Sequence, residues 1–587
     1  MHPRIAPSMR GLAVCLAIAG CQPARRPADT AGTEPAGTGP SYDLVISGGR
    51  IVDGTGNPWF YGDLAIRGDR IARITPPGLL ANAATKRRLD VRGLVVAPGF
   101  IDIQNQSVGE FTVGDGRVVS MVTQGVTTAI MGEGDSPAPI NDKTTAYLKS
   151  PGSPWRDYAD KLPPAMKGPH GFGGWLETMQ AHGMSENAGS FLGAATVRIY
   201  AKGEAIGPAT AAELDTMRTV VRLAMEDGAF GVGSALIYPP GNFASTEELI
   251  EQAKAMAPYG GVYITHMRSE SDRFLEAIDE ALKVGKEGGV PVEIYHFKAA
   301  GTRDWPKIPQ AIAKIDSARA QGADVGADMY LYPAGATGLS ACAPPWAAAD
   351  GKLLANLADP ATHAKIKQAM LHPSPEWENL CDLATPAGVQ LSGFTKPENK
   401  KWEGKRLSEV AAELKKDWVE AWAQLVASEP VGMIVHTMTE ANIPIELRQP
   451  WIKIGTDADG VDPDSLGGAK VHPRAFGNYP RLLGRYVREQ RVLSLEEAVR
   501  KASSAVANRL SIRDRGTLRE GAYADIVVFD PNTIIDKATF EDPSQLSVGV
   551  AHVYVNGVAV VTDGKHTGAK PGRAVRGPGW TGWATQR

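Results

Sequence analysis

Two short apolar runs, each closing on a histidine, constrain this chain more than anything else in it. They are Val262-Tyr263-Ile264-Thr265-His266 and Val292-Glu293-Ile294-Tyr295-His296. Between them, residues 271–289 carry Phe274, Leu275, Ile278, Ala281, Leu282 and Val284 on one stripe, the pattern of an amphipathic helix. Strand, helix, strand with an imidazole at each strand's carboxyl end is a βα unit that presents two histidines to one place. In a closed parallel barrel that place is the catalytic face. A lone histidine on an apolar run is ordinarily a satisfied core residue. A matched pair at successive strand ends points instead to a shared task.

The alternation of strand and helix extends well beyond this unit. Strand candidates end near Asp102, Met131, Ala194, Val232, His266, His296, Met329, His436 and Thr456, and helices are expected over 211–226, 246–256 and 307–321. That is one strand more than a (β/α)₈ barrel holds. The expected fold is therefore α/β, with a (β/α)₈ TIM barrel over 98–514 that rejects one candidate. Short strands broken by glycine occur near both ends, for example Asp43-Leu44-Val45-Ile46-Ser47 and Ile526-Val527-Val528-Phe529. They predict an accessory β-sandwich built from 42–97 and 515–587. Residues 360–425 read as an insertion with helical pieces and Trp377, Trp402, Trp418 and Trp422, long for a loop and suited to a lid.

The formal net charge of −3, with no basic tract beyond Arg25-Arg26 and Lys86-Arg87-Arg88, gives no reason to expect nucleic acid as a partner. The start of the chain reads as a targeting segment. Arg4 and Arg10 precede an apolar run over 11–20 that is shorter than the roughly 20 residues a membrane span needs. It ends in Ile18-Ala19-Gly20-Cys21, which resembles the lipobox of bacterial lipoproteins. Residues 1–21 are thus expected to be a signal peptide with Cys21 as the lipidation site, and 22–41, rich in Pro, Ala, Gly and Thr, a flexible tether. The mature protein would be periplasmic or anchored in a bacterial outer membrane, touching the membrane only through its lipid. An oxidising compartment permits Cys342 and Cys381 to pair; their spacing does not show that they meet.

A hydrolytic metal site takes imidazoles and carboxylates and keeps a position open for water. His266 and His296 supply imidazoles. Glu133, in Gly132-Glu133-Gly134-Asp135, and Asp457, after Lys453-Ile454-Gly455-Thr456, are acidic residues at strand ends, each beside a glycine or small residue that lets a ligand come close. Alone, each would be read as a turn or helix cap; with the histidine pair they form a candidate centre.

These residues lie within a wider resemblance. The chain resembles the amidohydrolase superfamily, and within it the N-acyl-D-amino-acid deacylases, from about Tyr42 to Gly564. The resemblance is carried by Ala97-Pro98-Gly99-Phe100-Ile101-Asp102, Gln124-Gly125-Val126-Thr127-Thr128, the run from Gly261 through His266 to Glu270, Val292 through Lys298, His472-Pro473-Arg474 and Arg481-Leu482-Leu483-Gly484-Arg485-Tyr486. It implies the barrel with its β-sandwich and metal-assisted hydrolysis of a linear amide. Two departures stand out. Where the family has His-x-His after the first strand, this chain has Gln104-Asn105-Gln106. Where the family has a second-strand cysteine, this chain has Glu133. A glutamate with two histidines resembles the one-metal arrangement of some N-acetylglucosamine-6-phosphate deacetylases.

The expected centre is one divalent ion per chain, zinc, held by Glu133, His266 and His296, with Asp457 as general base. Gln104 and Gln106 occupy the replaced metal position and are candidates to donate to an oxyanion. By the resemblance, Lys298, Arg474 and Tyr238 bind the substrate's α-carboxylate. The expected substrate is a small N-acyl amino acid or peptide-like molecule, D by family. Two alternatives stay open: an amidohydrolase for dipeptides, cyclic amides or other N-acyl compounds, and a barrel that binds ligand without catalysis.

Overall fold

The computed structural model describes residues 42–582 except 151, 152, 154, 157 and 373. The expected signal segment with Cys21 and the tether lie outside the described residues. Eight parallel strands form the barrel: β1 (Phe100–Asp102), β2 (Val126–Met131), β3 (Asn187–Ser190, continued by Leu192–Gly193), β4 (Gly231–Ala235), β5 (Val262–His266), β6 (Val292–Ile294), β7 (Val325–Met329) and β8 (Ile452–Ile454). Each pairs with the next in order up to the β7–β8 pair. β3, interrupted at Phe191, belongs to both arcs of the ring.

The ring closes just past the ends of β8 and β1. The Thr456 N–H donates to Asp102 Oδ1 at 2.8 Å, the Asp457 N–H to the Gln104 carbonyl at 2.7 Å and the Gln106 N–H to the Ala458 carbonyl at 3.0 Å. This seam brings Gln104, Gln106 and Asp457, far apart in the chain, side by side. The barrel interior is filled by Ile101, Ile130, Phe191, Phe230, Ile264 and Tyr295.

The helices follow local rules. Ala211–Asp227 begins with a reciprocal cap between Thr210 and Glu213 and ends at Gly228 in the left-handed region. Phe274–Gly288 buries Phe274, Ala277, Ile278, Ala281 and Val284 and stops at Gly289, also left-handed. It starts with the apolar stripe at Phe274, three residues later than the expected 271.

The rejected ninth strand is the one before His436. Gly432–Val435 pairs antiparallel with both Gly335–Gly338 and Val389–Ser392, in a three-stranded sheet outside the barrel. The insertion between β7 and β8 therefore spans at least 335–435, more than the expected 360–425. It has its own core of Leu339, Cys342, Cys381, Val389, Trp422 and Met433 among others. Cys342 and Cys381 form a disulfide across that core, with Cα atoms 5.4 Å apart.

Strands from both ends of the chain share one nine-stranded sheet, joined where Val95–Pro98 pairs antiparallel with Ile526–Phe529. Leu44, Ile46, Leu64, Ile66, Val528 and Tyr554 lie in its core. The chain's last segment departs from the expectation that all of 515–587 belongs there. The Ala188 N–H donates to the Arg573 carbonyl at 3.0 Å, Val575 N–H to the Ala188 carbonyl at 2.8 Å and Gly577 N–H to the Gly228 carbonyl at 2.8 Å. Residues 573–577 thus run along the amino-terminal end of β3 and β4, where Val575 joins the barrel's inner core.

Candidate metal centre

Glu133 follows β2, His266 ends β5 and His296 lies just beyond β6. Gly132 and Gly134 both have positive φ, 99° and 74°. A Cβ on Gly132 would sit 2.2 Å from the Phe191 carbonyl, and one on Gly134 2.6 Å from the Ala235 Cβ. The flanking glycines are therefore required by the backbone's fit against β3 and β4 rather than by ligand access. His296 also has positive φ, 32°, and its N–H donates to Asp328 Oδ1 at 2.9 Å. A non-glycine residue in this region is strained, and such strain collects at functional sites.

Three side chains converge. Glu133 Oε1 lies 3.0 Å from His266 Nδ1 and 3.0 Å from His296 Nε2. Among the described residues they form the one group whose ligand atoms, all within 4.8 Å of one another, suit a metal ion. Nitrogen and oxygen donors of this kind are those zinc takes. Charge points the same way. Burial opposes ionisation of Glu133, yet His296 and His266 outweigh it and hold the carboxyl well below its ordinary range. Burial and Lys298 work against a proton on His296, but Glu270 and Glu133 prevail and push its pKa up to about 10. A pocket that draws a proton onto a buried imidazole is one short of positive charge, and these residues fit a divalent cation.

Gln104 and Gln106 both donate to Glu133 Oε2, at 2.6 and 2.7 Å, and Gln106 also reaches Asp457 Oδ1 at 3.2 Å. The structure thus places the two amides on the Glu133 carboxylate. The other Asp457 oxygen is 2.7 Å from Arg474 Nη1, and the Arg474 guanidinium lies over the Tyr330 ring at 4.5 Å. Burial raises the Asp457 pKa; Arg474 lowers it and Glu133 raises it again. Lys298 Nζ is 2.7 Å from the Glu270 carboxylate and 2.8 Å from His296 Nδ1. The Tyr238 ring lies 5.4 Å from the His266 ring. The structure brings every expected site residue other than Cys21 to this one place.

Sequence reasoning missed Glu270. Its buried carboxylate lies 2.9 Å from His296 Nδ1 and also holds Lys298. The available signal was an acidic residue four positions after a strand-end histidine.

Known proteins match this architecture. An Amidohydrolase family model matches residues 447–561, which take in β8 and the later strands of the nine-stranded sheet. D-aminoacylase of Alcaligenes xylosoxydans xylosoxydans is 33% identical over 538 residues, covering 91% of this chain and 97% of that protein. The chain belongs to the N-acyl-D-amino-acid deacylase family of amidohydrolases. Among solved structures, a D-aminoacylase with a binuclear metal centre, activated by one metal and attenuated by the second, matches at 32% identity with a TM-score of 0.74, covering 91% of this chain and 100% of that one. An N-acyl-D-glutamate deacylase from Bordetella bronchiseptica, complexed with zinc and a phosphonate mimic of the tetrahedral intermediate, matches at 30% identity with a TM-score of 0.73, covering 91% and 99%. Deacylases of this family are enzymes that hydrolyse linear amides.

Proposed function

We propose that this deacylase hydrolyses the amide bond of N-acyl-D-amino acids at a centre that holds one zinc ion. The observation that carries the reading is Glu133 Oε1 placed 3.0 Å from both imidazoles, with Asp457 linked to the same carboxylate through Gln106. Glu133, His266 and His296 would hold the ion, which when bound would supply Lewis-acid polarisation of an amide carbonyl and a more acidic water. Asp457 takes a proton as the water oxygen bonds to the carbonyl carbon. As the C–N bond breaks, Asp457 returns that proton to the leaving amine nitrogen. Arg474 and Lys298 are buried cations beside this base, paired internally with Asp457 and Glu270. A substrate α-carboxylate offers them a second acceptor and fixes the acyl group against Asp457. Tyr238, whose ring lies 5.4 Å from the His266 ring, adds a hydroxyl donor to the same substrate carboxylate.

The count of one ion rests on Gln104 and Gln106. Amides are poor zinc ligands beside imidazoles, and both are committed to Glu133 Oε2. Metal analysis paired with a stereochemical screen tests the reading. One tightly bound zinc per chain and chelator-sensitive hydrolysis of N-acetyl-D-amino acids, with L forms untouched, are expected. Two tight ions overturn the count, and hydrolysis confined to L-dipeptides or lactones overturns the substrate.

We also infer export with lipid attachment at Cys21. The Ile18-Ala19-Gly20-Cys21 run supports it, as does the Cys342–Cys381 disulfide, which suits an oxidising compartment. Among the described residues no helix is long and apolar enough to cross a membrane. Cys21→Ser is expected to shift the protein from the membrane fraction to the soluble fraction, and an unchanged distribution counts against the anchor.

A further inference from the structure

The insertion reaches the metal centre through an acidic side chain that the reaction leaves unused. Glu378 Oε1 accepts three hydrogen bonds, from Ser269 Oγ at 2.8 Å, the Glu270 N–H at 2.6 Å and Ser271 Oγ at 2.7 Å. These residues form the turn between His266 at the end of β5 and the helix Phe274–Gly288. Ser269 Oγ itself accepts from the N–H groups of Ser271 and Arg273 at 3.3 and 3.2 Å. One carboxylate oxygen therefore gathers the turn around itself. In the middle of that turn stands Glu270, whose own carboxylate touches His296 Nδ1 and Lys298 Nζ.

The backbone is anchored directly after Glu378. The next residue, Asn379, is buried; its amide donates to the Met370 carbonyl at 3.1 Å and its side-chain oxygen accepts from the Asp382 N–H at 3.2 Å. Cys381 follows, in the disulfide to Cys342. An unbroken series of contacts thus runs from the insertion's core through Glu378 and the 269–271 turn to Glu270, and from Glu270 to one imidazole and one ammonium.

We propose that Glu378 is a positioning residue by which the insertion sets Glu270, and through it the orientation of His296 and the reach of Lys298. This rests on the reading that His296 holds the metal and Lys298 meets the substrate's α-carboxylate. Groups behind a ligating histidine fix its ring and tune its basicity, and their loss costs roughly 10–100-fold in metal affinity or activity. A carboxylate that merely docked the insertion onto the barrel would affect stability alone.

The test uses the full-length, zinc-loaded enzyme and the variants Glu378→Ala, Glu378→Gln and Lys298→Met. Steady-state kinetics are measured on an N-acetyl-D-amino acid and on its neutral α-carboxamide, alongside the rate of zinc release to a chelator. Glu378→Ala is expected to release zinc about 10-fold faster and to lose about 10-fold in kcat/KM on the acid, chiefly through KM, with a smaller loss on the carboxamide. Glu378→Gln keeps an oxygen that accepts the same donors and is expected to restore both readouts to within about 3-fold of the parent, the cost of a weaker neutral hydrogen bond. Equal losses on acid and carboxamide with unchanged zinc release overturn the proposal, as do equal losses in the two Glu378 variants. Should Glu378→Ala fail to fold, Ser269→Ala and Ser271→Ala each remove one donor and are expected to shift both readouts the same way by less; no shift in either overturns it. A parent enzyme without zinc, or a Lys298→Met variant that does not discriminate acid from carboxamide, is a failure of the underlying reading and is recognised as such without the Glu378 variants.

Discussion

Asp457 is pulled in two directions. Burial lifts its pKa above the ordinary 3.8, Arg474 draws it down, and Glu133 lifts it again, while φ at the residue is a strained 50°. As the proposed general base, Asp457 works only when ionised, so a raised pKa moves the loss of activity on acidification to higher pH than an ordinary aspartate would show. The acid limb of kcat/KM is expected above pH 3.8 and is read from a pH–rate profile. Asp457→Asn is expected to keep its zinc, to lose about 10²–10⁴-fold in kcat and to lose that limb. Gln104→His with Gln106→His is expected to add a second equivalent of zinc by metal analysis; a content still at one ion shows that Glu133 cannot bridge to a second. Glu133, His266, His296 and Asp457 were legible in the sequence because each follows a recognisable strand. Glu270 and the true partner of the two glutamines were not. Gln104 meets Glu133 only because β1 and β2 are adjacent, and Glu270 meets His296 only across the β5–β6 pair. Such partners are set by tertiary register, which local pattern does not carry.

At the level of elements, Gly432–Val435 shows where pattern fails. A short apolar run has the same period whether its neighbours are parallel barrel strands or an antiparallel pair. Its partner Gly335–Gly338 is made of Gly, Ala and Thr and gives no hydrophobic signal, so the insertion's sheet was invisible and its extent underestimated. The Cys342–Cys381 bridge, left open by spacing alone, crosses that insertion's core with a sequence separation of 39. Closing a loop of this length is worth up to about 4 kcal/mol in chain entropy. Replacing both cysteines with serine is therefore expected to lower the melting temperature of the insertion while the barrel's own transition stays in place. Calorimetry with and without reductant reads this, and an unchanged thermogram would show that the insertion's apolar core suffices without the bridge.

Considered whole, the molecule is closed by contacts between distant parts of the chain. The nine-stranded sheet joins its two ends, which glycine-punctuated strands near both termini announced. The return of 573–577 to the barrel was not legible, because its backbone hydrogen bonds to Ala188 and Gly228 and its side-chain contacts with Asp69, Gln180 and Asn187 join residues far apart in the chain, with no local pattern to announce them. The barrel seam rests on Asp102, which accepts from Thr456, Asn105 and Gln104 and whose pKa burial nonetheless pushes up to about 7. Burial likewise pushes Glu446 up to about 8. Both carboxyls are ionised in the unfolded chain above pH 6.5, whereas the native state still binds their protons there. The unfolded state then holds fewer protons, and stability falls as pH rises through about 7 and 8, by at most about 1.4 kcal/mol per pH unit for each group. Lys501, lowered by burial to about 8, acts in the opposite sense above that pH, where the unfolded chain keeps a proton the native state has lost. With zinc held saturating, the urea midpoint is therefore expected to drop between pH 6.5 and 8 and to level off beyond it. A midpoint that climbs steadily across the same range would overturn the expectation that burial keeps Asp102 and Glu446 protonated in the folded protein.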